Sequence, residues 1–187
     1  MTRALYVLMM GVLLAGIIHI VVVLLVPRYA ERDAWERLSG TPMWTFSRVA
    51  TPGLDDARVP FVDPAFGVAA CRYDLSEGPL IAEASGELPY WSVAIYDSEG
   101  RNVYSFNDRT AVERRLRLIV VDPVQRAQLR KVAPTEIEDA IIVLVERPQG
   151  LVMLRALRED AEWGPLVETF LEEATCERYD IPDDAAG

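Results

Sequence analysis

Histidine is almost absent from this chain of 187 residues, since His19 is the only one. Outside the apolar N-terminal segment that contains His19, a serine–histidine–aspartate triad is therefore excluded, and the commonest zinc and iron ligand is missing. The two cysteines, Cys71 and Cys176, lie too far apart in sequence to form a C-x-x-C motif. Neither a P-loop, a G-x-S-x-G elbow nor a G-x-G-x-x-G motif is present. We therefore expect no metal site and no cofactor.

Basic residues are outnumbered, with 19 Lys or Arg against 29 Asp or Glu and a formal net charge of −10. Arg3 is the only charged side chain before Arg28, so the acidic excess lies in the rest of the chain. Such a surface repels phosphate backbones and anionic headgroups. We predict that this part of the chain binds no nucleic acid.

The segment from Ala4 to Val26 contains no charged residue. As a helix it would reach roughly 34 Å, enough to cross a bilayer core of about 30 Å. A cleaved signal peptide is the alternative, but its apolar region is normally about 7–15 residues long and ends at a small-x-small site. The sequence "VPRYAERDA" offers no convincing site of that kind. We predict an uncleaved single-pass anchor, residues 1–27, in contact with membrane lipid.

Two features of the sequence predict opposite sides of the membrane for the domain. Arg28, Arg32 and Arg37 come after the anchor, which by the positive-inside rule favours the cytoplasm. A very short tail before a signal-like apolar run instead favours export of the domain. We expect an inner-membrane protein with a periplasmic C-terminal domain. There Cys71 and Cys176 would form a disulfide, the alternative being two separately buried thiols.

Within the anchor, Gly11, Ala15 and His19 are spaced four apart and share one helix face. Small residues let a second helix approach closely, and an imidazole can donate a hydrogen bond across such a contact. The alternative is a single tolerated polar residue near the middle of the membrane. We therefore treat these three residues as candidates for helix–helix contact.

The rest of the chain divides into residues 28–64, a polar helix and an extended connector, residues 65–178, a globular domain, and residues 179–187, an acidic tail. Alternation in "YWSVAIYD" places Trp91, Val93 and Ile95 on one strand face. In "RRLRLIVVD", Leu116, Leu118 and Val120 point inward in the same way. Near the C-terminus an apolar helical stripe is formed by Trp163, Leu166, Val167, Phe170, Leu171 and Ala174. We predict an α+β fold, a mainly antiparallel sheet of about seven strands closed by a C-terminal amphipathic helix.

The stretch "DLSEGPLIAEASGELPYWSVAIYDSEGRNVYSFND" resembles the N-terminal module of the proteins catalogued as domain of unknown function 1254. The matching features are Asp74, Leu75, Gly78, Pro79, Tyr90, Trp91, Asp97 and Asn102. The resemblance covers residues 58–158 and implies a short, membrane-anchored bacterial version, whose companion module is often a separate protein. Long members carry a polar segment before this strand, where this chain has only Asp63, which puts any pocket built there in doubt.

Candidate chemistry outside the anchor is sparse. Asp55, Asp56, Asp97 and Asp108 could act as acids or bases, but each falls in or beside a turn, where solvated aspartate is the usual state. "DSEGRN" lacks the spacing of a calcium loop and indicates a hairpin turn. The aromatic residues Tyr90, Trp91, Tyr96 and Tyr104 could form a binding surface or simply pack in strands.

We assign no catalytic residue and expect a membrane-anchored binding or assembly module rather than an enzyme. Its expected partner is the companion module on another anchored protein, or a second copy of the chain. The alternative is an anchored enzyme or small-molecule-binding domain that uses an aromatic-lined cleft.

Overall fold

The computed structural model describes residues 2–38, 40–50, 63–132 and 134–182, without the side chains of residues 27–37, 50 and 136. Within these residues the chain forms three α-helices, α1 (Thr2–Leu38), α2 (Pro123–Val132) and α3 (Gly164–Glu173). It also forms nine strands, β1 (Ser47–Ala50), β2 (Phe66–Asp74), β3 (Leu80–Ala84), β4 (Trp91–Asp97), β5 (Asn102–Asn107), β6 (Leu116–Val121), β7 (Ile141–Leu144), β8 (Gln149–Leu157) and β9 (Thr175–Arg178).

Helix α1 contains the apolar segment and continues beyond it. Its part Thr2–Val26 has a mean hydropathy of 2.8 and is long and apolar enough to cross a membrane, a description that a signal sequence also meets. We predicted a separate polar helix after Pro27, but the structure has one helix through this proline. A proline removes a single hydrogen bond of the helical ladder, and the residues on both sides keep the helix continuous.

The C-terminal end of α1 is attached to the domain. Leu38 is buried, and its carbonyl oxygen accepts hydrogen bonds from the backbone N and the Oγ1 of Thr41, at 3.0 and 2.7 Å. These bonds satisfy a helix-end carbonyl that would otherwise lack a partner. The helix therefore ends at a fixed point, two residues before Gly40, where we expected it to stop.

The strands form two sheets, which confirms the predicted α+β fold. One sheet has five strands in the order β1-β2-β8-β4-β5, and the other has four in the order β7-β6-β3-β9. All pairs of neighbouring strands are antiparallel except β6 and β7. The chain passes from one sheet to the other after β2, β3, β5, β7 and β8. The turn between β7 and β8, which contains Arg147 and Pro148, therefore joins strands of different sheets.

The main core lies between the two sheets. Trp91, Val93 and Ile95 of β4 are buried there, as their alternation predicted. Strand β6 contributes the predicted set Leu116, Leu118 and Val120, and α3 contributes Val167, Phe170 and Leu171. Fully burying one large apolar side chain is worth about 1.5–3 kcal/mol, so this shared interior supplies most of the stabilisation of the domain.

Each sheet also has an outer apolar cluster. On the four-stranded sheet, Ile119 and Val121 pack against Leu129 of α2. On the five-stranded sheet, Val68 and Ala70 form a cluster with Leu38 from the end of α1. Both sheets are consequently covered in part on both faces, which explains why β2 and β6 are apolar almost throughout.

Several predicted features differ from the structure. Strands β1 and β9 were not predicted, and β1 lies inside the expected connector, whose residues 51–62 are outside the described ones. Leu166, placed in the apolar stripe of α3, is 52% exposed. Tyr179 and Ile181, assigned to a frayed tail, pack against the outer cluster of the four-stranded sheet. Residues 183–187 of that tail also lie outside the described residues.

Gly150 allows a close approach that a side chain would prevent. A Cβ at this position would collide with the hydroxyl of Tyr73 and the carbonyl oxygen of Tyr96. We expect Gly150→Ala to lower the free energy of unfolding by about 1–3 kcal/mol, because the added methyl overpacks a rigid interior. Chemical denaturation of the purified full chain in detergent measures this change.

The matched control is Gly164→Ala, where the nearest atom to an added Cβ is Arg158 Cδ at 3.7 Å, an ordinary contact. This variant should unfold within about 0.5 kcal/mol of the unmodified protein. Equal stability of the two variants would show that the Gly150 site can relax.

Candidate functional site

A disulfide joins the two sheets through the core. Cys71 of β2 and Cys176 of β9 are bonded, with their Cα atoms 6.5 Å apart and 105 positions separating them in sequence. Both residues are buried, at 0% and 2% exposure. The bond therefore closes a long loop and links one sheet directly to the other.

The four aromatic candidates do not form one surface. Trp91 is fully buried, and Tyr104 lies opposite Ile95 in the β4–β5 ladder, so both belong to the inner face of the five-stranded sheet. Tyr90 and Tyr96 line the outer face. The four residues thus lie on both faces of the five-stranded sheet, because successive side chains of a strand point to opposite faces, and for Trp91 this fits the alternative of packing in strands.

Trp91 is a packing residue. Its ring lies 6.2 Å from that of Phe106, edge to face, and 6.3 Å from that of Phe170. Its indole Nε1 donates a hydrogen bond of 3.3 Å to the carbonyl oxygen of Arg114. A buried tryptophan whose N–H is satisfied in this way is a core residue rather than a ligand contact.

The surface of the described part of the domain includes three open concavities. One of about 410 Å³, on the outer face of the five-stranded sheet, is lined by Tyr90, Tyr96 and Arg155 among others. One of about 510 Å³ lies between α2 and β7, and one of about 310 Å³ lies near the start of β6. None of the three is lined by Asp97 or Asp108, so the buried carboxylates do not face these spaces.

Asp97 is held by the hairpin turn that joins β4 to β5. Its Oδ1 accepts hydrogen bonds from the backbone N of Glu99 and of Arg101, each at 3.0 Å. Its Oδ2 lies 2.9 Å from Arg101 Nε and 2.8 Å from Nη2. Gly100, with a φ of +80°, closes the predicted turn. The carboxylate therefore has the role of a turn-stabilising group.

The environment of Asp97 has opposing effects on its pKa. Burial alone would raise the pKa, but hydrogen bonds from the backbone and side chain of Arg101 and from the Glu99 amide outweigh it. The pKa of Asp97 is consequently lowered from its ordinary value, and the residue is ionised at neutral pH. A carboxylate in this state suits ion pairing more than proton transfer near pH 7.

Asp108 is also buried and paired with arginine. Its Oδ2 lies 2.8 Å from Arg114 Nη2, while its Oδ1 has no hydrogen-bond partner. Arg114 and Glu113 have φ values of +56° and +50°, a conformation that residues other than glycine rarely adopt. The same guanidinium donates to the carbonyl oxygen of Leu88 at 2.8 Å, so the pair fixes this loop against the β3–β4 connection.

The other candidate site residues lie in the anchor and in the connector, far in sequence from Asp97 and Asp108. Asp55 and Asp56 lie outside the described residues. Gly11, Ala15 and His19 lie on the exposed surface of α1, and a Cβ added at Gly11 would meet no atom within 4 Å. Across the described residues, no three His, Cys, Asp or Glu side chains are grouped to hold a metal ion.

Comparisons with known proteins identify relatives without an assigned activity. A family model described as "Protein of unknown function (DUF1254)" matches residues 44–178, a wider range than the predicted 58–158. No curated protein matches the sequence.

Two solved structures share the fold. The VPA0106 protein of Vibrio parahaemolyticus has a TM-score of 0.60 and 13% identity, over 85% of this chain and 41% of that one. An uncharacterized protein of Burkholderia cenocepacia has a TM-score of 0.51 and 12% identity, over 85% and 42%. The chain thus spans about two fifths of the length of these proteins.

The environment of Asp97 generates a prediction about pH. A carboxyl group whose pKa is lower in the folded than in the unfolded chain stabilises the fold at pH values above its unfolded-state pKa, which is about 3.9 for aspartate. That stabilisation is lost as the pH falls through the folded-state pKa. We expect Asp97→Asn to lower the free energy of unfolding at pH 7 by about 1.5–3 kcal/mol. This difference should shrink as the pH is lowered towards 3, in denaturant titrations of the full chain at several pH values.

The control is Asp180→Asn. The side chain of Asp180 is 87% exposed, and its Oδ1 forms an exposed ion pair of 3.4 Å with Nε of Arg178. An exposed ion pair contributes little, so this variant should remain within about 0.5 kcal/mol of the unmodified protein. A difference for Asp97→Asn that stays constant with pH would contradict the assigned role of its charge.

Proposed function

The chain belongs to the DUF1254 family of proteins of unknown function, and we propose that it is a membrane-anchored assembly module that acts with a separate protein chain. The anchor is α1, and the domain of two sheets presents the binding surface outside the cytoplasm. The partner that the family resemblance implies is a membrane-anchored protein that carries the companion module.

The fold of this chain corresponds to part of each of the two solved proteins. The fold covers 85% of this chain but only 41% and 42% of the two solved proteins. In those proteins the remaining three fifths of the polypeptide is covalently attached to the shared fold.

The observation that carries this proposal is the filled interior of the domain, which favours binding over catalysis. The space between the sheets is filled by apolar side chains, among them the fully buried Trp91 and Tyr73. The two buried carboxylates, Asp97 and Asp108, are paired with Arg101 and Arg114 and do not line the surface concavities. Enzyme sites often place a buried titratable group against a concave pocket, and neither Asp97 nor Asp108 lines any of the three concavities.

The disulfide supports a location outside the cytoplasm. Bonds of this kind persist in oxidising compartments and are rare where glutathione and thioredoxin keep thiols reduced. An apolar helix Thr2–Val26 that precedes the domain is consistent with insertion into the inner membrane and export of the domain. The two observations together favour a periplasmic domain.

The small-residue face of α1 gives the anchor a role in association. We expect Gly11→Leu and His19→Leu to reduce the amount of partner that co-purifies with the full chain from detergent-solubilised native membranes. The leucine at position 11 blocks close helix approach, and loss of the imidazole removes a hydrogen bond worth about 0.6–2 kcal/mol. Affinity purification followed by mass spectrometry measures the recovered partner.

The matched control is Gly16→Leu, which adds the same side chain about 140° around the helix. A Cβ at Gly16 also meets no atom within 4 Å, so the two glycines differ only in the face that they occupy. Equal recovery of partner with all three variants would exclude a role for the face formed by Gly11, Ala15 and His19.

The proposed compartment predicts an oxidised cysteine pair in cells. After acid quenching and denaturation, the full chain should react with no heavy maleimide before reduction and with two afterwards, because Cys71 and Cys176 are bonded. Denaturation is needed because both cysteines are buried. The number of adducts is read from the shift in gel mobility.

The variant Cys176→Ser marks the position of a single adduct on the same gel. Alkaline phosphatase fused after Gly187 gives a second reading, since this enzyme is active only when exported. Two adducts without reduction, together with an inactive fusion, would place the domain in the cytoplasm.

A further inference from the structure

The outer face of the five-stranded sheet has a trough whose shape follows from the sequence of β4. Alternate residues of a strand share a face, so Tyr90, just before β4, and Ser92, Ala94 and Tyr96 all line this face. At a rise of about 3.4 Å per residue, the Cα atoms of the two tyrosines lie roughly 20 Å apart along the strand. The concavity of about 410 Å³ is therefore open and elongated, with small residues between two tyrosines.

The strands on either side of β4 supply the rest of the trough. Ser92 lies opposite Arg155 of β8 in one ladder and opposite Asn107 of β5 in the other. In the next row, Ala94 lies opposite Ser105 of β5. All of these residues line the concavity, so side chains from three neighbouring strands converge on it.

The trough has several uncharged groups that can exchange hydrogen bonds with a ligand. Hydroxyl and amide groups are contributed by Tyr90, Ser92, Tyr96, Asn102 and Ser105. Within the described part of the chain, none of these five side chains forms a hydrogen bond with another protein group. Each can therefore donate to and accept from an external molecule.

Arg155 gives the trough a positive charge. Among the described residues that line it, Arg155 alone is charged. Its Nη2 lies 3.3 Å from Sδ of Met153, a weak acceptor, and the guanidinium forms no ion pair with any described carboxylate. By contrast, Arg48 and Arg101 are paired with acidic side chains. In a protein with a net charge of −10, the trough is thus a local exception that attracts an anion.

We propose that this trough binds a segment of a glycan chain that carries carboxylate groups. One carboxylate pairs with Arg155, and the sugar rings lie against Tyr90 and Tyr96. The inference goes beyond the proposed function, because its ligand is a saccharide rather than a protein chain.

The chemistry of an acidic sugar matches each part of the lining. A pyranose ring has an apolar face of C–H groups and a rim of hydroxyls, and a tyrosine likewise combines an apolar ring with a polar hydroxyl. The neutral side chains near Ser92 can exchange hydrogen bonds with the sugar hydroxyls. A guanidinium can donate two parallel hydrogen bonds to a carboxylate, each roughly twice as strong as a bond between neutral groups.

The form of the trough favours a glycan over two other kinds of ligand. Small-molecule sites usually enclose about 70–90% of the ligand surface, whereas this concavity is open and spans roughly 20 Å between its tyrosines. An extended peptide needs partners for its own backbone N–H and C=O groups. A sheet edge provides such partners, but the side chains of a sheet face do not.

The experiment measures the affinity of the full chain for a defined acidic glycan. The chain is purified in a polyoxyethylene detergent, because the headgroups of maltoside detergents are themselves sugars. Trigalacturonate and its uncharged methyl ester are then titrated by calorimetry. We expect the unmodified chain to bind the acid at least about tenfold more tightly than the ester, because only the acid forms charge-assisted hydrogen bonds with Arg155.

The variant Arg155→Met should remove this preference for the acid. The matched control is Arg130→Met, which removes the same charge from an exposed arginine of α2, on the outer side of the other sheet. This control should keep the preference within about twofold of the unmodified chain, because general attraction between distant exposed charges is weak in salt.

A second variant covers the case in which Arg155→Met fails to fold, which thermal unfolding detects. Tyr90→Leu should weaken binding of the acid and of the ester alike, by about threefold or more, because the ring is lost while Arg155 remains. Its control is Tyr104→Leu, on the inner face of the same sheet, which should bind both compounds as the unmodified chain does.

Four results would overturn the proposal. They are no binding of trigalacturonate, equal binding of acid and ester by the unmodified chain, and an equal loss of preference in Arg155→Met and Arg130→Met. The fourth is binding of a tetra-aspartate peptide as tightly as trigalacturonate, which would assign the trough to an acidic peptide. The proposed function is tested separately, by recovery of the partner protein.

Discussion

Burial of two sheet faces against each other is the interaction on which the rest of the domain depends. Trp91 and Leu118 reach the shared interior from opposite sheets, and neither sheet could exclude water from its inner face alone. The Cys71–Cys176 bond spans this same interior, so it restricts separation of the layers rather than movement within one sheet. The turns, outer helices and exposed edges are all arranged around that contact.

The arrangement accounts for the character of the surface. With the interior filled and Asp97 engaged by its own turn, the polar groups that could perform chemistry instead maintain loop geometry. What remains free is backbone at the sheet edges and apolar side chains beside it. Such edges and side chains are the features through which a protein domain can bind another chain.

The sequence predicted the strands in which apolar and polar residues alternate clearly. It did not predict the elements that depend on pairing with distant parts of the chain. Alternation in β4 and β6 identified their buried residues because one face of each strand must exclude water. Strands β1 and β9 have four residues each, too few to show a period, and they exist because β2 and β3 offer edges to them. The sequence left open whether the four aromatic candidates form a surface or pack in strands, because residue type alone does not give the strand face. Tyr104 on β5, for example, takes its face from its pairing with Ile95. The disulfide could be suggested from cysteine count alone, but its bridging of two layers required the topology.

The junction at Leu38 has a mechanical consequence. Helix α1 runs without interruption to this residue, whose side chain is buried against Val68 and Ala70 and whose carbonyl is bonded to Thr41. These contacts connect the end of α1 to the five-stranded sheet, so a rotation of the helix about its axis would act on that sheet first. A second helix packed against α1 in a bilayer would thereby influence the orientation of the domain as well as the position of the anchor.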